Sequence, residues 1–230
     1  MLPHFGDIGT MILCCGAVLT GFAGARAVSL RLGNPPLASP VLVTAIGAVV
    51  LIWLLGMPQA RFAEATAPLR WLLGPALIAM AVIIIRSRPL LRRRPWPMIG
   101  AAFVGTIVGV GSAAAMVWLL DVPAPYDAAL TTKSVTAPFA VAIQGRAGGP
   151  VALAAALSVL TGVIGTLLVP PLLTALRITD PAARGLALGA SAHIVATDWL
   201  LRRDPDTAAI SALALVLVGL MAAVLVPVIG

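Results

Sequence analysis

Apolar stretches of about twenty residues recur along this chain, and short segments between them hold most of the charge. Residues 8–25, 97–120 and 147–176 carry no charged side chain. Each stretch reaches or nearly reaches the roughly 20 residues a helix needs to cross a bilayer. The pattern predicts spans over about 8–25, 40–56, 71–85, 97–120, 151–176 and 208–229. Two further segments have helical patterning but are too polar for plain lipid-facing spans. Residues 127–145 are amphipathic and are expected to break at Pro138, because proline cannot continue a helix ladder. Residues 182–201 follow Asp180-Pro181, a pair suited to a helix start, with Asp180 as cap and Pro181 in the first turn. A turn is expected over 121–126, where Pro123 and Pro125 fall.

The composition agrees with this pattern. The chain has 230 residues, 60% of them hydrophobic and 10% charged, with mean hydropathy +1.07. Soluble domains carry about 25% charged residues, so an all-α polytopic membrane protein is expected, with six full spans and two interrupted or re-entrant segments. It is read as one domain over 1–230, with halves 1–120 and 121–230.

The net charge of +7 does not indicate nucleic acid, because no aromatics interleave the basic residues in a soluble module. Arg86, Arg88, Arg92, Arg93 and Arg94 sit between two apolar spans, which marks a cytoplasmic loop under the positive-inside rule. Arg26 and Arg31 mark another, and the N-terminus then lies outside the cytoplasm. No basic region precedes the first apolar stretch, so no removable signal peptide is expected. Cys14 and Cys15 are adjacent, point apart on a helix, and form neither a disulfide framework nor a metal spacing. No cofactor, phosphate loop or enzyme constellation is called for.

The candidate chemistry centres on Lys133, the only lysine. It sits in Thr131-Thr132-Lys133-Ser134-Val135-Thr136-Ala137-Pro138. A charge, several hydroxyls and a helix break at membrane depth are tolerated mainly where backbone lines a cavity or is buried in protein. One reading is an anion site in which a carboxylate meets the ammonium, the hydroxyls of Ser134 and Thr136, and the N–H groups freed before Pro138. The other has Lys133 snorkelling to an interface or pairing with Asp127.

A second candidate is the run from Arg184 to His193. Gly185 and Gly189 are four apart, so one helix face is bare and can pack tightly. His193 and Thr197 continue at the same spacing. A histidine titrates near working pH, which suits proton coupling or a substrate contact. A buried histidine bonded to a neighbouring helix is the equal alternative. Gly148 and Gly149, before Pro150, belong to a turn or broken helix. Arg146 reads as an interfacial anchor, and Asp198 as a helix-end partner of Arg202 and Arg203.

These motifs resemble the LrgB/CidB family: Thr132 to Pro138, Gly148-Gly149-Pro150, Ala183-Arg184-Gly185-Leu186-Ala187-Leu188-Gly189 and His193. Asn34-Pro35-Pro36-Leu37 and Leu73-Gly74-Pro75-Ala76 extend the likeness more loosely into the first half. The chain departs from the family pattern at several positions. Thr132 stands where the family has proline, Ala137 where it has a second threonine, and Ser191-Ala192-His193 where it has Ala-Ser-His. Ala196-Thr197 replaces Gly-Thr, and Asp206 lies one place before the family's acidic position at Thr207.

The resemblance implies a bacterial inner-membrane protein, named in the family as a regulator of murein hydrolase export and autolysis with a holin-like LrgA/CidA partner. It implies relatives that move glycolate, glycerate and pyruvate, and an elevator-like fold with inverted repeats. The expectation that follows is a transporter for small monocarboxylates in which Lys133, Ser134 and Thr136 hold the carboxylate and His193 tunes or couples. The alternative is an antiholin-like regulator without solute flux. A homo-oligomer is expected in either case, and a third reading makes the polar segments an oligomer interface.

Overall fold

The computed structural model describes residues 5–124 and 126–229, with side chains from 8 to 226. Met1 to His4, which bear on the signal-peptide expectation, and Pro125 of the predicted turn lie outside the described residues. The α-helices of the described chain run in the order α1 (Phe5–Arg31), α2 (Pro40–Leu54), α3 (Gln59–Ala65), α4 (Ala67–Arg70), α5 (Leu73–Arg86), α6 (Arg88–Arg93), α7 (Pro95–Leu119), α8 (Tyr126–Thr131), α9 (Ala137–Ala147), α10 (Val151–Ala175), α11 (Pro181–Leu201) and α12 (Pro205–Ile229), and no strand occurs among the described residues. Packing divides it into two units, Met1–Ala76 and Leu77–Gly230.

Of the six predicted spans, five are long and apolar enough to cross a membrane among the described residues: Ile8–Arg31, Ala67–Arg86, Pro95–Leu119, Val151–Ala175 and Pro205–Val226. The sixth, α2, has fifteen residues and is about 22 Å long, short of the roughly 30 Å hydrocarbon core. Pro40 starts it at the first turn and Gly56, at φ 56°, ends it. In the first unit α1 packs on α2 and α3. The turn after α1 uses Asn34 at φ 58°, whose side-chain oxygen accepts from Ser29 Oγ at 3.0 Å.

The second unit holds both polar segments, and each folds into a helical hairpin. In the first, Gln144 Nε2 donates to the Ala128 carbonyl and, at 3.3 Å, to Thr132 Oγ1. Sixteen residues of straight helix would separate Ala128 from Gln144 by about 24 Å, so α9 must run back alongside α8. The break lies at 132–136, not at Pro138. Pro138 instead occupies the first turn of α9, where its missing N–H has no intrahelical partner to lose.

The second hairpin is α11. The chain turns at His193, whose φ 54° and ψ −138° are non-helical and close to the first central position of a type II′ turn. A Cβ on Gly185 would meet the Thr207 carbonyl at 2.8 Å, so the start of α11 lies beside the start of α12. The turn from Leu200 to Thr207 is tight: Asp204 N donates to Leu200 O at 2.8 Å, and Thr207 N to Asp204 Oδ1 at 3.1 Å. Two such turns span about 12 Å, whereas a straight helix would hold Leu200 about 22 Å from Gly185. The arms 181–192 and 194–201 therefore enter and leave on the same side. The sequence expectation that Gly185, Gly189, His193 and Thr197 form one continuous helix face is corrected here: the face reverses at His193.

The bases of the two hairpins are on opposite sides. The first follows the C-terminal end of α7, and α10 then carries the chain to the other end, where the second begins. Both tips reach mid-helix depth. Ser134 packs on Gly109 of α7, Val135 O accepts from Ser158 Oγ of α10, and Ala192 packs on Gly165 of α10.

Asp180 caps α11 as expected, accepting from Ala183 N at 3.0 Å. Asp204 does the same for α12, and hydrogen bonds from the Thr207 hydroxyl and backbone hold its carboxyl below the usual carboxylate range. Stability from such a depressed group is present above the unfolded carboxylate range and is lost as pH falls through the lowered value. Asp204→Ala should therefore lower the thermal midpoint at neutral pH, and its difference from the parent should shrink in acid, read by thermal unfolding in detergent.

Candidate functional site

The unwound backbone at 132–136 is almost wholly enclosed: Thr132, Ser134, Val135 and Thr136 are buried and Lys133 is half-buried. The hydroxyls of Thr131 and Thr132 return to carbonyls of α8, at 2.8 Å to Ala128 and 3.0 Å to Ala129. They satisfy orphan acceptors at a helix C-terminus. Lys133 Nζ donates to Ser134 Oγ at 3.2 Å. The Thr136 hydroxyl is buried with no hydrogen-bond partner. No ion pair joins Lys133 to Asp127 among the described residues; the Asp127 carboxylate accepts from Ala128 N.

Lys133 and Ser134 line a cleft of about 630 Å³ along the seam of α7 and α11. Gly105 and Gly109 of α7 form one wall, Ser191 stands on the second hairpin, and Thr161 is contributed by α10. Both glycines are needed for close approach: a Cβ on Gly109 would meet Ser134 Cβ at 2.7 Å, and one on Gly105 would meet Ala190 Cβ at 3.1 Å. Sequence reasoning missed Thr161 and Ser191. Ser191 lies two residues before the tip histidine, a signal that was present. Thr161 is a lone hydroxyl in an apolar span, and its use depends on the packing.

The tip of the second hairpin abuts that of the first. The His193 ring is 2% exposed, and it lies beside the backbone of Lys133 and Gly189 and within electrostatic reach of the Lys133 ammonium. Neither ring nitrogen is in hydrogen-bonding geometry with a partner. The first N–H groups of α9 and of the arm 194–201 lack intrahelical partners, and both helix starts face this junction. Two positive helix ends and one ammonium thus converge, and the described residues place no acidic side chain on the cleft.

The other sequence candidates fall elsewhere. Pro138 stands just behind the tip, in the first turn of α9. Gly189 is pressed against the Ser211 carbonyl of α12, and Thr197 Oγ1 lies 2.8 Å from Ser211 Oγ and donates to His193 O at 3.0 Å. They lock the second hairpin to α12. Gly148, at φ 72°, ends α9 in a left-handed cap, and Gly149 packs under Gln144 at the hairpin base. Arg184 donates to Ile178 O at 3.0 Å at the other base. None of these six lines the cleft.

A histidine at positive φ is strained by roughly 1–3 kcal/mol, a strain glycine would not share. His193→Gly should therefore unfold above His193→Ala, the reverse of the usual helix-interior order, by about 1 kcal/mol, or roughly 2–4 °C in a thermal melt.

The fold and site define a polytopic helical membrane protein in which two helical hairpins meet tip to tip beside a half-buried lysine. The chain belongs to the LrgB-like family, whose model matches residues 18–230. It is 29% identical over 183 residues to a Bacillus subtilis (strain 168) protein named only as uncharacterized protein YwbG, covering 80% of this chain and 81% of that protein. No solved structure matches it.

Proposed function

We propose that this protein is an inner-membrane transporter of small monocarboxylates of the glycolate, glycerate and pyruvate class. The observation that carries the reading is the Lys133 ammonium on the cleft wall, bonded only to Ser134 Oγ among the described residues and facing no acidic side chain. A half-buried cation with no acidic partner favours a counter-anion, and a single positive charge suits a single carboxylate. The two helix starts add positive potential without adding titratable charge. Hydroxyls of Ser134, Ser191 and Thr161 are placed to bond a neighbouring hydroxyl or keto group. Broken helices inserted from opposite sides and meeting at mid-depth are the arrangement secondary transporters use for substrate. That supports the elevator-like architecture implied by the family resemblance.

His193 is the group we assign to tuning or proton coupling, since it sits where the two hairpins touch. The arginine-rich end of α6 is assigned to the cytoplasmic side and the N-terminus to the opposite one.

The test is uptake of labelled glycolate, pyruvate and lactate into proteoliposomes holding this protein alone, with and without a pH gradient. Saturable uptake is the expected result. Its absence from folded protein, alone and with an LrgA-like partner, would favour an antiholin-like regulator instead.

A further inference from the structure

The segment 86–94 carries five arginines and no acid, and no acidic residue occurs anywhere between Glu64 and Asp121. All five side chains, Arg86, Arg88, Arg92, Arg93 and Arg94, are exposed, and none has an ion-pair partner among the described residues. They do not hang from a loose loop. Leu90 and Leu91, on the opposite side of α6, pack against the buried cluster of Met98, Leu186 and Ile210. Proline opens both α6 and α7, which stiffens the turn between them. Trp96 follows directly and is 81% exposed, and tryptophan in that setting belongs at the headgroup level of a bilayer.

A row of unneutralised guanidinium groups held at that level presents forked donors that match phosphate oxygens in pairs. We infer that α6 and its flanks form a binding site for anionic phospholipid, with Arg92, Arg93 and Arg94 holding the phosphodiester and Trp96 lying among the upper acyl and glycerol groups. A soluble anion fits the same donors but not the tryptophan, so the occupant is lipid in the leaflet. This inference does not depend on what the cleft carries.

The test titrates the intact, detergent-solubilised protein with dioctanoyl phosphatidylglycerol and, separately, dioctanoyl phosphatidylcholine, counting bound lipid by native mass spectrometry. Phosphatidylglycerol should bind at least about tenfold tighter, since each arginine at a membrane surface contributes a factor of about five. The triple variant Arg92→Gln, Arg93→Gln, Arg94→Gln should lose that preference, and Arg93→Gln alone should lose about fivefold of it. Arg146→Gln, an exposed arginine at the end of α9, should keep it. Higher ionic strength should weaken binding, and inorganic phosphate should weaken it no more than chloride does at the same ionic strength. Equal affinity for the two lipids, a preference that survives in Arg93→Gln and the triple variant, its loss in Arg146→Gln, or displacement by phosphate beyond that by chloride at the same ionic strength would each overturn the inference.

Discussion

Lys133→Met should leave a folded protein that no longer takes up glycolate, pyruvate or lactate at low concentration. Methionine nearly keeps the length and volume of the lysine stem and removes only the charge and its donors. Hydrogen bonds to charged groups contribute about 1.5–3 kcal/mol, so removing this one should weaken apparent affinity roughly 10- to 150-fold. The loss should be larger if no second cation takes over, and the described cleft offers none. Lys133→Arg should retain part of the activity, because charge is kept while reach and shape change. Lys133 is half-buried and its side chain bonds only to Ser134, so the thermal midpoint of Lys133→Met should stay near the parent value. Wild-type affinity and rate in a folded Lys133→Met would remove the lysine from the site.

Gly189→Leu should have the largest effect on the fold itself. A Cβ there would fall inside the van der Waals shell of the Ser211 carbonyl, with Ala214 Cβ 2.8 Å away. Neither neighbour is the far end of a flexible side chain, so the first arm of the second hairpin must leave α12. Overpacking a close contact costs about 1–3 kcal/mol, sometimes more, and here the buried Thr197–Ser211 hydrogen bond of 2.8 Å lies next to it. A fall of about 3 kcal/mol, or roughly 6–12 °C for a chain of this size, is expected. Gly111→Leu on α7 is the matched control, since nothing lies within 4 Å of a Cβ there. Equal midpoints for the two variants would show that the seam between α11 and α12 is not packed as described.

The two breaks were unequally legible in the sequence. The first announced itself through Lys133 among hydroxyls and through Pro138, although the expected position was late. Proline is tolerated in a first turn, so it marked the start of α9 rather than the gap. The second break had no breaker at all. Residues 182–201 read as a helix, and the turn falls on His193, at a positive φ that few residues other than glycine adopt. Packing decides it: Gly185 and Gly189 bring the first arm onto α12, and the short connection to Thr207 then leaves no room for a straight helix. The same packing explains why Gly189 and Thr197, both taken as ligand candidates, serve the seam with α12, while Ser191 and Thr161 reach the cleft.

By itself the sequence determined the solvent of this protein and much of its chemistry. Runs of about twenty apolar residues must be helices in a bilayer, because only internal hydrogen bonds satisfy their backbone there. A lone lysine among hydroxyls at that depth is costly against lipid, which singled out Lys133 as a site candidate beside the alternative of snorkelling to an interface. Motif order was enough to show the LrgB-like resemblance. Only the tertiary structure decided that both polar segments turn back on themselves, that they do so from opposite sides, and that Lys133 and His193 end up at one junction. Helical periodicity reports which residues share a face, and it is blind to where a helix reverses. Reversal is set by contacts between residues far apart in the chain, here Ala128 with Gln144, Gly185 with Thr207, and Thr197 with Ser211.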